Sequence, residues 1–129
     1  MLPTPAQREA LLDVVDWPRN WAREESDKAI GEAIAQLLKL FLEHLIERGL
    51  AINTLHRHKL QLCLLGSRVL DRMTQFESLP PESAADVLDG LISEDEGPLL
   101  FNASEEEQRA FDATCKLLYR YRASTAALN

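Results

Sequence analysis

Residues 37–73 read LLKLFLEHLIERGLAINTLHRHKLQLCLLGSRVLDRM, and the punctuation of this stretch decides the fold. From Ile30 onward, apolar residues recur at three- and four-residue steps through Ala33, Ile34, Leu37, Leu38, Phe41, Leu45 and Ile46. That is the stripe of an amphipathic helix. Leu40 and Leu42 widen it, so burial on more than one side is expected. Gly49 stands where a left-handed C-terminal cap is wanted, and Leu50 can supply the apolar contact that follows such a cap. A second helix begins within a few residues, capped by Asn53 or Thr54 or bounded at Ala51. Its apolar positions, from Leu55 through Leu60, Leu62, Cys63, Leu64, Leu65, Val69 and Leu70 to Met73, wrap most of its surface, as expected of a central element. Two helices joined by so short a link form a hairpin.

One face of the second helix breaks this apolar wrapping. Arg57, Gln61, Arg68 and Arg72 fall within about 60° of one another at 100° per residue, so three arginines share a face. Lys59 lies nearby in sequence, as does Arg48 at the end of the preceding helix. Arginine pairs well with phosphate oxygens, and a helix carrying such a row can track a nucleic-acid backbone. A solvated face, or a docking surface for the acidic segment 77–112, accounts for the same row.

Within this stretch Phe41, Leu45, Gly49, Leu50, Asn53, Thr54, Leu55, Arg57 and Leu65 carry a resemblance. The pattern resembles the core-binding, SAM-like domain on the N-terminal side of tyrosine recombinases and phage integrases. Those domains pair an amphipathic helix with a basic one across a Gly-Leu-Ser-x-x-Thr-Leu turn. Ala51 stands where that family prefers a capping serine, and His58 where it prefers a tyrosine. The catalytic residues of the family, two arginines, a His-x-x-Arg element and a nucleophilic tyrosine, belong to a further domain without a counterpart here. The resemblance implies a fold and a DNA-facing surface made of Arg48, Arg57, Lys59, Gln61, Arg68 and Arg72, and no recombination.

Outward from the hairpin, the ends also read as helices. Thr4-Pro5-Ala6-Gln7 places an N-cap threonine, a proline at the first helical position and a glutamine that reaches back. Leu11, Leu12, Val14 and Val15 give that helix its apolar side, and Pro18 is expected to end or kink it near Trp17. Residues 19–27 read as a connector or a turn of helix. Beyond the hairpin, Pro80 and Pro81 open a helix carried by Ala84, Val87, Leu88, Leu91 and Ile92, and Gly97-Pro98 breaks it. Ser104-Glu105-Glu106-Glu107 is a capping box. Phe111, Cys115, Leu118 and Tyr121 or Arg122 carry the last helix, and residues 123–129 are expected to fray. No segment alternates with a period of two. The expected fold is all-α: a single orthogonal-type bundle of four to six helices in one domain, with an N-terminal helix and connector at 1–27, the hairpin at 37–73 and acidic C-terminal helices at 77–129.

Composition bounds the function. The 129 residues carry 14 Lys+Arg against 21 Asp+Glu, a net charge of −7, which excludes a uniformly basic nucleic-acid binder. The charge is unevenly divided, with a net of +3 over residues 28–76 and of −10 over 77–112. Two cysteines make no secreted disulfide framework. No apolar run reaches the roughly 20 residues of a membrane span, and the N-terminus carries acids where a signal peptide is basic. A cytoplasmic protein with no membrane association is expected.

Other chemistry is weakly signalled. His56 and His58 point about 200° apart on a helix and cannot share one ion; His44 and Cys63 complete no ligand set, so neither metal nor cofactor is expected. Tyr119 and Tyr121 beside Arg120 and Arg122 lack the convergent cations that phosphoryl transfer by a tyrosine needs. The acids at 94–96 and 105–107 lack calcium-loop spacing and read as a solvated surface. Trp17 and Trp21 suit core anchoring, or an interface in a homodimer. The chain is expected not to be an enzyme. DNA is one expected partner, bound through the basic helix face. The other is a basic protein, bound by an interaction module of the regulatory or toxin–antitoxin type through an acidic surface.

Overall fold

The computed structural model of the chain describes residues 1–74 and 83–127. Among them the fold is all-α, with helices α1 (Pro5–Leu12), α2 (Trp17–Trp21), α3 (Asp27–Glu47), α4 (Ile52–Thr74), α5 (Ala84–Leu91) and α6 (Glu105–Ala127). The two longest apolar patterns became α3 and α4, which pack on one another, and α4 also touches α1, α2, α5 and α6. Leu55, Leu62, Leu65, Val69 and Leu70 of α4 are buried in the same apolar cluster as Ile34, Leu38, Phe41, Leu42 and Leu45 of α3. Gly49 closes α3 with a φ of 82°, a left-handed conformation that costs glycine little. Helix α4 starts at the Ala51 boundary: Leu55 N–H donates to the Ala51 carbonyl, while Ile52 N–H donates to Met1 at 2.8 Å.

The ends depart from expectation in three places. Helix α1 has its capping box, with Thr4 and Gln7 exchanging hydrogen bonds. It stops at Leu12, however, and Pro18 lies in the first turn of a separate helix, α2. Proline is tolerated there because the first-turn N–H groups have no partner within the helix. Val14 is therefore buried from a connector, and Val15 is left 77% exposed. Helix α6 continues to Ala127 rather than fraying after residue 122; Arg122 pairs with Asp89 of α5 near this end. The proline pair at 80 and 81 lies outside the described residues. Ser83 caps α5, accepting from Asp86 N–H at 3.1 Å.

The wrapping of α3 and α4 is also incomplete, since Leu40, Leu60 and Leu64 are exposed. Trp17 and Trp21 are buried, their rings 5.5 Å apart, so the pair is part of the core. Two glycines let α2 wedge between the long helices. A Cβ at Gly31 would lie 3.0 Å from Pro18 Cα, and one at Gly66 would overlap the Trp21 ring. Tyr121 packs on Phe41 and His44, with ring centroids 5.4 and 4.6 Å away, which fixes α6 to α3 by aromatic contact. No helix among the described residues is long and apolar enough to cross a membrane.

Candidate functional site

The six residues expected to face DNA do not form one surface. Arg57 is exposed and donates to Thr54 Oγ1 at 3.3 Å. Arg48 is exposed at the C-cap of α3. Lys59 is half-buried, and its Nζ donates to the carbonyls of Ala10 at 2.9 Å and Asp13 at 3.2 Å. It thus caps the C-terminal end of α1, where carbonyls lack intrahelical donors. Burial lowers its pKa, with Asp13 acting the other way. Gln61 is half-buried, with its Oε1 shielded from solvent. Arg68 is half-buried too, its guanidinium 4.5 Å from the centre of the Phe101 ring.

Arg68 and Arg72 are brought together, about 16 and 22 Å along α4 from Arg57 by helical rise. They line a cavity of about 340 Å³ with Arg23, Asp71, Leu91 and Phe101. Arg23 comes from the α2–α3 connection and was not among the expected residues; its Nη2 lies 3.3 Å from Asp71 Oδ1. The Arg57 end of the stripe differs, because Leu60 and Leu64, 68% and 48% exposed, flank it on the helix surface. Apolar side chains there interrupt a phosphate track.

A second feature lies on the other side of α1. An open groove of about 1050 Å³ runs between α1 and the outer face of α3. Ala6 and Ala10 of α1 and Ala29 and Ala33 of α3 keep its walls low, each pair one turn apart. Val15 adds exposed apolar surface. Glu9, Asp13, Glu32 and Glu43 line it against one ammonium, that of Lys39. Glu32, Gln36, Lys39 and Glu43 fall within about 60° on α3, forming a continuous polar rim. Sequence reading missed this groove because its walls come from two helices. The spacing of Glu32, Gln36, Lys39 and Glu43 was the available signal.

His58 Nδ1 lies 2.8 Å from Thr114 Oγ1, joining α4 to α6; burial, then the Arg57 charge, lowers its pKa. Burial pushes the Cys115 thiol up to about 12 and raises that of Cys63, so neither is an activated thiolate. The acids at 94–96 and 105–107 are exposed, with Glu107 also accepting from Ser104 N–H in the capping box. No family model, curated protein or solved structure matches the chain.

Proposed function

We propose that the protein is a non-catalytic helical interaction module that binds a basic amphipathic helix of a partner protein. The observation that carries this reading is the α1–α3 groove, whose floor is small and apolar and whose rim holds four carboxylates against one ammonium. An amphipathic helix laid in a groove buries its apolar stripe and leaves its charges at the edges. Complementary charge at such an edge sets partner choice and association rate. From Ala29 to Glu43 the α3 wall runs about 21 Å, the length of about 14 helical residues.

The test uses a 14-residue lysine–leucine amphipathic peptide and its glutamate–leucine counterpart, titrated into the full chain. The lysine peptide is expected to bind, and to weaken as salt rises. Glu9→Lys/Glu32→Lys is expected to weaken it about ten-fold or more. Equal binding of both peptides, or no effect of the double substitution, would count against the groove.

The exposure of Arg48, Arg57 and Arg72 supports a second reading, contact with a DNA backbone as in a core-binding-like domain. It predicts binding to a random duplex that falls steeply with salt and weakens for all sequences in Arg48→Ala/Arg57→Ala. No anisotropy change at low salt would remove it.

A further inference from the structure

We propose that the outward face of α4, built on Leu60, Leu64 and Phe101, docks into the α1–α3 groove of a second copy of this chain, so that copies add head to tail. The inference rests on the groove reading above and names the partner helix. Leu60 and Leu64 are 68% and 48% exposed, and Phe101, over the Arg68 guanidinium one turn further along α4, is 79% exposed. A single exposed leucine is ordinary, whereas a row of large apolar side chains marks a contact surface. Leu60 and Leu64 stand about 140–180° around α4 from Leu55, Leu62 and Val69, which are fully buried. The row therefore points straight out of the bundle. Its far end is held firmly, because Leu100 N–H donates to Gln108 Oε1 and Gln108 Nε2 to the Pro98 carbonyl, which ties the Phe101 loop to α6.

Row and groove match in shape and in charge. Leu60 and Leu64 are four residues apart, as are Ala6 and Ala10 on one groove wall and Ala29 and Ala33 on the other, so leucine knobs meet low alanine walls at the same helical step. From Asn53 to Arg68 the outward face of α4 runs about 22 Å, close to the length of the α3 wall. Glu9, Glu32 and Glu43 of the groove form no ion pair among the described residues, and neither do Arg48 and Arg57 at the hairpin end of α4. Arg57 donates only to the neutral Thr54 hydroxyl. Unpaired charges of opposite sign beside two apolar surfaces favour their meeting and fix its register. The two surfaces cannot meet within one copy. Glu32, Gln36, Lys39 and Glu43 point away from the α3–α4 contact on the α3 side, and Leu60 and Leu64 point away from it on the α4 side. A contact between two different surfaces is heterologous, and it propagates to further copies instead of closing as a two-fold dimer.

The experiment is sedimentation equilibrium of the full chain from about 10 µM to 1 mM, which brackets a micromolar-to-millimolar Kd, at low and high salt. The average mass is expected to rise past that of a dimer with concentration, and to fall back toward the monomer as salt rises. Leu60→Gln/Leu64→Gln removes the row and Glu9→Lys/Glu32→Lys the groove charge; each variant alone is expected to be monomeric. Their mixture is expected to associate and to stop at a dimer, because it holds one intact row and one intact groove per pair. All four side chains are exposed, so both variants keep the fold, checked by far-UV circular dichroism. Arg57→Glu is expected to weaken association several-fold while leaving binding of the lysine–leucine peptide unchanged. A wild type monomeric at 1 mM and low salt, self-association surviving in either double variant, or a mixture that does not associate would overturn the proposal. If the chain stays monomeric while the lysine peptide still binds, the groove reading stands and its partner is a different protein. Failure of the peptide as well removes both.

Discussion

Helix α4 is held in two different ways along its two sides. Toward α2 the contact is apolar and close, with the Trp21 ring against the backbone of Gly66. Toward α6 it is polar and selective: His58 meets Thr114, and Arg68 meets a phenylalanine on a loop that α6 itself pins. The first contact depends on the absence of a side chain, and no change of pH or salt alters it. The second depends on groups that titrate or carry charge. The groove and the cavity follow this division. The groove borders the α2 wedge through Pro18, and the arginine-lined cavity borders the pinned loop through Phe101.

The sharpest way to break the comparison is at Gly66. A Cβ there overlaps the Trp21 ring, which is buried. Gly66→Ala is expected to destabilise the fold by about 1–3 kcal/mol, read as a lower urea midpoint at unchanged slope. A midpoint equal to wild type would show that the wedge yields, and that the two sides of α4 are alike after all.

On the other side, Gln108→Ala removes the hydrogen bonds that tie Leu100 and Pro98 to α6. Each is worth about 0.5–1.5 kcal/mol net, so the global loss is expected to be similar to or smaller than that at Gly66. Its signature is local: faster amide exchange at residues 97–102 with α1–α3 unchanged. Uniformly faster exchange across the molecule would mean that the loop is part of the core rather than an appended support.

What was legible in the sequence divides along similar lines. The Thr4–Gln7 and Ser104–Glu107 boxes, the Gly49 cap and the long stripes of α3 and α4 are local patterns, and each became the element it describes. Pro18 was misplaced because proline ends one helix and begins another with equal ease. The extension of α6 to Ala127 goes beyond the apolar positions that were read. The tertiary contacts of the candidate site residues were the least legible. Nothing near Lys59 in sequence shows that its ammonium reaches the Ala10 and Asp13 carbonyls. Nothing near Arg68 shows that Phe101 covers it, or that Arg23 joins it. Helical angle places side chains on a face, while tertiary contact decides which of them remain available.

The finest distinction between the two sides is their response to acid. His58 is half-buried, and burial together with Arg57 lowers its pKa below the ordinary value of 6.5. The unfolded chain therefore takes up the proton at a higher pH than the folded one. Stability contributed by neutral His58 is complete above pH 6.5 and is lost as pH falls from there through the lower folded pKa. His58→Gln is expected to flatten this fall, and the difference between the two pH–stability curves isolates it from the carboxylates that titrate at more acidic pH. The α2 wedge gives no such term, so Gly66→Ala should shift the wild-type curve downward without changing its shape. A Gly66→Ala curve that also steepens below pH 6.5 would tie the wedge to His58, and the two sides of α4 would then behave as one cooperative contact rather than two.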